Sequence, residues 1–188
     1  MQKKLVIALT ILLSAIAIIW FFGLFPVMRV NGDYTLYRIY GERAGALERF
    51  ESKSRLASGN SVLSDSEKSE IKKVILQHVI MEQIVQQYID EHTALAEIKN
   101  TANAVVANTL KEADPDVLPR ATKEVYGWSV DEFVQNVLYP QALQNELQKV
   151  IESDGASFEE FTRMQLNNAQ IKLYVVPWKW ENGGLVEK

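Results

Sequence analysis

The side chains that could carry out catalysis in this chain are few and widely spaced. The two histidines, His78 and His92, lie 14 positions apart, which on one helix would separate them by about 21 Å, too far to share a metal ion. Cysteine is absent, which excludes thiolate nucleophiles, disulfides and thiolate metal sites. The sequence also lacks a Gly-x-Ser-x-Gly elbow, a glycine-rich phosphate loop and a dinucleotide-binding fingerprint. We therefore expect no catalytic residues and no cofactor.

Paired carboxylates do occur, and local backbone preferences explain them. Asp114 and Asp116 flank a proline in a segment typical of a turn, and Glu159 and Glu160 stand at the start of a predicted helix. The acidic turn lacks the glycine and the distal glutamate of a calcium-binding loop. We therefore expect no metal site at either pair.

Aromatic residues concentrated in the last third of the chain are more informative about function. One interpretation is that they pack in a hydrophobic core, as most large aromatic side chains do. The other is that they line an apolar groove for polypeptides, which methionines and glutamine-rich helix faces would make adaptable. The candidate peptide-binding residues are Tyr126, Trp128, Phe133, Tyr139, Trp178 and Trp180.

The N-terminus is dominated by an apolar segment, since residues 5–25 form a run of 21 residues without a charge. A helix of this length reaches about 31 Å, close to the ~30 Å thickness of the hydrocarbon core of a bilayer. Trp20 and Phe25 stand at the far end, where aromatic side chains prefer the membrane interface, and Pro26 would end the helix. We predict that residues 1–26 hold a transmembrane helix running from Leu5 to Phe25.

A cleaved signal peptide is the competing interpretation of this segment. Lys3 and Lys4 would supply its charged start, and residues 15–17, Ala-Ile-Ala, resemble a cleavage site. The apolar run continues for eight residues beyond Ala17, whereas a signal peptide should end near its cleavage site, so we favour an uncleaved anchor. The lysines before the run place the N-terminus in the cytoplasm and the remaining chain outside.

The charge of the exported part excludes one class of partner. Residues 1–29 contain three of the 20 basic residues and none of the 24 acidic residues, so the remaining chain carries a net charge of −7. Nucleic-acid binding needs basic surface, and an acidic domain is a poor candidate for it. We expect no nucleic-acid partner.

The exported part is predicted to be mainly α-helical, with a short strand near each end. Residues 27–30 read as a strand that ends in an Asn31-Gly32 turn, and residues 170–177 alternate as a half-buried strand. Two strands without other partners should pair with each other, which closes the domain. The polar residues 181–188 are predicted to form a frayed tail.

Helix boundaries between these strands follow from capping patterns and apolar spacing. Residues 37–50 repeat apolar side chains at helical intervals, and a capping box at Ser64 and Glu67 predicts a long helix that ends near residue 91. A second capping box at Ser129 and Glu132 begins a helix that contains Pro140, which should kink its axis. Residues 157–168 form the last predicted helix.

Two short motifs, in this order, resemble the N-terminal domain of SurA/PpiD-type chaperones, the parvulin-associated folding factors of the bacterial envelope. The first is VNGDY at residues 30–34, followed by the aromatic-rich helix of residues 37–50. The second is YGWSVDEF at residues 126–133, which leads into a helix with YPQ at residues 139–141. The resemblance covers residues 27–151 and implies a helical chaperone domain over residues 27–180 that binds unfolded or exported polypeptides.

The chain departs from this family at its C-terminus. The catalytic parvulin domain usually carries a pair of active-site histidines, but only 37 residues follow Ile151 and none of them is histidine. We therefore expect no prolyl isomerase activity.

The sequence thus predicts a single-pass protein of the bacterial cytoplasmic membrane whose extracytoplasmic domain binds polypeptides without catalysis. One alternative is a structural subunit of an envelope membrane complex that docks one folded partner. A degenerate peptidyl-prolyl isomerase is a second alternative.

Overall fold

The structure is a computed structural model that describes residues 13–14 and 16–188. Leu5 and much of the predicted transmembrane segment lie outside the described residues. Residues 16–21 are helical, and Trp20 is exposed while Phe25 is half-buried. Within the described part of the chain, no helix combines the length and the apolar character needed to cross a membrane.

Seven α-helices follow the helical residues 16–21, which confirms the prediction of a mainly helical chain. The helices are α1 Tyr37–Ala57, α2 Asp65–Glu91, α3 Ala96–Glu112, α4 Val117–Val125, α5 Val130–Phe133, α6 Tyr139–Ser153 and α7 Phe158–Asn168. A 3₁₀ turn, Thr93–Leu95, separates α2 from α3, and a π-helical turn, Val134–Leu138, joins α5 to α6 without a break.

The strands form two small antiparallel sheets. The strands are β1 Pro26–Val30, β2 Asp33–Leu36, β3 Ile171–Leu173, β4 Trp178–Glu181 and β5 Gly184–Glu187. The first sheet has the order β2-β1-β3, and the second pairs β4 with β5. The predicted pairing of the N- and C-terminal strands is confirmed, with Arg29 of β1 opposite Lys172 of β3.

The first sheet nevertheless has three strands, where the sequence predicted two. Asn31 and Gly32 both adopt positive φ angles, 48° and 112°, which is the geometry that folds two strands into a tight hairpin. The chain therefore continues after the turn as β2, pairing Asp33 with Val30, before α1 begins.

The frayed tail predicted at residues 181–188 is wrong for most of its length, because these residues complete β4 and form β5. Asn182 and Gly183, at φ 51° and 78°, form the hairpin turn between the two strands. Leu185 is buried in the same core cluster as Trp178. The hairpin is thus packed on the helical domain.

The predicted helix starts are confirmed in detail. Ser64 and Ser129 each accept a hydrogen bond from the backbone of the glutamate three residues later, and each glutamate side chain accepts one in return, so both capping boxes are present. The Ser64 backbone N–H is the main reason that the pKa of Glu67 falls to about 2, with the Ser64 hydroxyl and Arg55 adding to the effect.

Residues of α2 contribute to two hydrophobic clusters. The first surrounds β1, whose Val27, Met28 and Val30 are fully buried, and takes Ile80 from α2. The second joins α3, α6 and α7 and takes Val85 from α2. Strand β1, which is the middle strand of the first sheet and lies in this first cluster, follows directly on the predicted membrane helix.

Gly127 fixes the junction between α4 and α5. It lies at φ +79°, and a Cβ there would come 1.3 Å from Arg49 Nη1, which donates a hydrogen bond of 2.7 Å to the Tyr126 carbonyl. Replacing Gly127 with alanine should strain the backbone and displace the guanidinium. We expect Gly127→Ala to lower the free energy of unfolding by about 2 kcal/mol, measured by denaturant titration of the full chain in detergent.

Gly45→Ala is the matched control, because a Cβ at Gly45 meets no atom within 4 Å. In the middle of α1, alanine should raise the free energy of unfolding by about 0.5–1 kcal/mol. Equal changes in the free energy of unfolding of Gly127→Ala and Gly45→Ala would contradict this account of Gly127.

Candidate functional site

The six aromatic residues predicted to form a binding surface lie at three separate places. Tyr126, Trp128 and Phe133 form one cluster at the junction of α4 and α5, and Tyr139 begins α6. Trp178 and Trp180 lie on β4. The structure therefore does not bring them together into one groove.

The aromatic cluster of Tyr126, Trp128 and Phe133 holds α4 and α5 against α1. Tyr126 stacks on Trp128, Phe133 and Phe50 of α1, with ring centroids separated by 5.7, 5.4 and 5.6 Å. Lys53 of α1 also donates a hydrogen bond to the Glu124 carbonyl. These contacts are those of packing between helices, as the core interpretation of the aromatic residues expects.

The two tryptophans of β4 also contribute to a core. Trp178 is buried in the cluster around β1, and Trp180 packs against the same cluster while remaining half-buried. Packing of these two side chains holds the hairpin of β4 and β5 against the rest of the domain.

Tyr139 is different, because it lines an open groove of about 240 Å³ between α1, α2 and α6. We call this the α1–α2–α6 groove. Its walls are mainly apolar and come from Ile39, Val79, Val85, Tyr139, Pro140 and Leu143. Its polar lining consists of Thr35, Arg43, Glu82, Gln83, Gln86 and Gln144.

Helical spacing explains how these side chains reach one surface. On α2, positions 79, 82, 83 and 86 follow the i, i+3, i+4, i+7 pattern of a single helix face. Val79 belongs to the hydrophobic cluster around β1, whereas Val85 and Leu143 belong to the second hydrophobic cluster, which joins α3, α6 and α7. The groove therefore lies where the two hydrophobic clusters meet.

The glutamines of the groove are partly fixed by neighbouring side chains. Thr35 Oγ1 donates to Gln83 Oε1 at 3.1 Å, so the Gln83 amide offers its N–H groups to a ligand. Gln86 Nε2 donates to Asp90 Oδ2 at 3.0 Å, so the Gln86 oxygen is offered as an acceptor. Together the two amides supply both a donor and an acceptor without a net charge.

An ion pair between Arg43 of α1 and Glu82 of α2 forms part of the groove lining. The side chains are only 13% and 26% exposed, respectively. Burial raises the pKa of Glu82 above its ordinary value, and the Arg43 guanidinium opposes that rise. The pair thus neutralises two charges that water solvates poorly at this depth.

The same guanidinium reaches the π-helical turn. Arg43 Nε donates to Asn136 Oδ1 at 2.8 Å, and Asn136 Nδ2 donates to the Glu132 carbonyl at 2.8 Å. Pro140, which the sequence predicted to kink this helix, lacks the N–H that a regular turn would need. The continuous helix instead adopts the π-helical turn just before it, a feature that is frequent at functional sites.

The ionisable and metal-ligating side chains near this groove are few. Among the described residues, no cluster of three or more His, Cys, Asp or Glu side chains could hold a metal ion. His78 and His92 are both exposed and do not line the groove. The groove contains one carboxylate, and it is paired with Arg43.

Sequence reasoning noted the glutamine-rich faces of α2 and α6 but missed the contribution of α1. Arg43 and Ile39 stand in a predicted helix where an arginine is ordinarily solvated, and nothing in their spacing indicates a buried partner. Their role depends on the contact between α1 and α2, which no local pattern specifies.

Comparison with known proteins finds no matching family model, no matching characterised protein and no matching solved structure. The class of the protein is therefore given by its own fold: a mainly helical domain with two small antiparallel sheets.

Removing Arg43 should make stability depend more strongly on pH, because the pKa of Glu82 is already raised in the natural chain. In Arg43→Met the Glu82 carboxylate loses the charge that opposes desolvation, so its pKa in the folded state rises further above the ordinary value of 4.5. A raised pKa in the folded state means that stability is highest while Glu82 is protonated and falls as pH rises through that pKa. We expect a loss of about 2 kcal/mol at pH 8 and a much smaller loss at pH 4, measured by denaturant titration.

Two further variants control this experiment. Arg38→Met removes an exposed arginine whose Nε lies 3.9 Å from Glu42 Oε1. Such ion pairs on the surface contribute little to the free energy of unfolding. Adding Glu82→Gln to Arg43→Met removes the buried carboxylate and should abolish the part of the pH dependence that is due to Glu82. A pH-independent loss in Arg43→Met would contradict the ion-pair account.

Proposed function

We propose that the protein is a membrane-anchored, extracytoplasmic chaperone-like domain that binds unfolded or exported polypeptides in the α1–α2–α6 groove, without catalysis. It would be a domain of the SurA/PpiD N-terminal type, without a parvulin domain. Its anchor would be the uncharged run of residues 5–25 in the bacterial cytoplasmic membrane. The N-terminus would lie in the cytoplasm and the domain outside.

The observation that carries this proposal is the composition of the groove. An unfolded polypeptide offers apolar side chains together with backbone N–H and C=O groups that need partners. Apolar walls such as Val79 and Leu143 suit the side chains, and the amides of Gln83 and Gln86 suit the backbone. Because the charge of Glu82 is paired with Arg43, the groove does not demand a charged ligand.

The size of the groove favours weak and reversible capture. A space of about 240 Å³ admits a few side chains, and each contributes about 1.5–3 kcal/mol when fully buried. Ordering the polypeptide and losing its translational freedom offset much of that gain. A chaperone must release its clients, so modest affinity fits the proposed role.

The two family-like motifs support the proposal because the chain leads from each of them into a segment that lines the groove. The run at residues 30–34 forms the turn that leads through β2 to α1, and Thr35 of β2 lines the groove. The run at residues 126–133 leads through the π-helical turn to Tyr139 and Pro140, which also line it.

Photo-crosslinking in cells tests the proposal directly. A photoreactive residue at Ile39, which is 37% exposed in the groove, should capture many different exported polypeptides. The matched control is the same probe at Val105 of α3, which is 39% exposed and does not line the groove. It should capture few.

The outcomes separate the candidate functions. A broad range of products from Ile39 alone supports the chaperone-like domain. One discrete product would indicate the structural subunit that docks a single folded partner. Equal capture at both positions, or none, would overturn the assignment of the groove.

A further inference from the structure

The residues that join the predicted membrane helix to β1 are hydrogen-bonded to the domain. We call residues 20–25 the elbow. The Arg38 backbone N–H donates to the Gly23 carbonyl at 3.0 Å, and the Tyr37 N–H donates to the Phe25 carbonyl at 2.8 Å. A flexible tether would leave its carbonyls to water.

These two bonds also supply the N-terminal cap of α1. The first N–H groups of a helix have no partner within the helix, and no side chain caps α1 at Leu36. The carbonyls of Gly23 and Phe25 take that role. Releasing the elbow would therefore cost α1 its cap, which couples the elbow to the folded domain.

Gly23 is the position that makes this geometry possible. It is buried at φ +62°, and a Cβ there would lie 3.1 Å from the Arg38 nitrogen and 3.3 Å from the Arg38 Cα. Both atoms belong to the backbone of a helix and cannot move aside as a flexible side chain could. Any larger residue would strain the elbow.

A chain of aromatic contacts continues from the elbow into the core. The ring centroids of Trp20 and Phe25 are 4.6 Å apart, and Phe25 stacks on Tyr37 with a centroid distance of 5.0 Å. Tyr37 in turn contacts Tyr40 edge to face, with a centroid distance of 5.7 Å. Tyr40 is buried in the β1 core. The elbow is thus packed as well as hydrogen-bonded.

The outer face of the elbow is apolar and exposed. Phe21 is 85% exposed, and Trp20, Phe22 and Leu24 are also exposed. Adjacent exposed apolar side chains of this size mark an interaction surface on a folded protein. The occupant that fits is a phospholipid bilayer, because these residues end an uncharged run of 21 residues and aromatic side chains favour the lipid interface.

We propose that the elbow mounts the domain rigidly on the bilayer, with Phe21, Phe22 and Leu24 in the interfacial layer. The inference rests on the proposed membrane anchor and adds a fixed orientation to it. Ile39 of the groove follows directly on Arg38, whose backbone holds the elbow. The groove is therefore kept close to the membrane, where exported chains emerge, and does not swing on a tether.

Spin-label distances in the full chain test the rigid mount. The natural chain has no cysteine, so labels can be placed at Ile18→Cys and Val105→Cys, both exposed positions, in nanodiscs of phosphatidylcholine and phosphatidylglycerol. We expect a single narrow distance distribution. Adding Gly23→Ala should broaden it about twofold, whereas Gly45→Ala should leave it unchanged. A broad distribution without either substitution would overturn the rigid mount.

A single label at Phe22→Cys separates this inference from the membrane anchor itself. If the label is accessible to oxygen and protected from a water-soluble nickel chelate, Phe22 lies in lipid, as proposed. Lipid exposure with a broad distance distribution would overturn the rigid mount alone. Exposure of Phe22 to water would overturn both the anchor and the mount.

Discussion

The buried guanidinium of Arg43 is the interaction on which the arrangement of the helices depends. Its side chain is only 13% exposed, and a charge at that depth must be paired and hydrogen-bonded to be tolerated. Glu82 of α2 and Asn136 of the π-helical turn supply those partners. Three separate elements are thus held around one charged group, which also lines the groove.

Contacts along helix α1 connect it to different parts of the molecule. The elbow caps its first turn through Gly23. Arg43 fixes its middle to α2 and to the π-helical turn. Arg49 and Phe50 fix the next turns to the junction of α4 and α5. A domain built this way places the groove at a defined position relative to its predicted membrane helix.

Local features of the fold could be predicted from the sequence, because local chemistry determines them. Capping boxes at Ser64 and Ser129, and the apolar spacing of α2, each involve residues within a few positions. The missed hairpin at Asn182-Gly183 was also encoded locally, since Asn-Gly is a strong turn signal. The groove could not be predicted, because Arg43 and Glu82 come together only when α1 packs on α2. The aromatic residues were misleading because residue type alone does not show which of them pack in a core and which line a groove.

The affinity of the full chain for an unfolded exported polypeptide is the most direct test of the groove. It should be measured in nanodiscs for Ile39→Glu beside Val105→Glu, two substitutions of similarly exposed residues on different helices. A carboxylate in the apolar wall should weaken binding about tenfold, or ~1.4 kcal/mol, while the same change on α3 leaves it unaltered. Equal affinities in the two variants would contradict binding in the α1–α2–α6 groove.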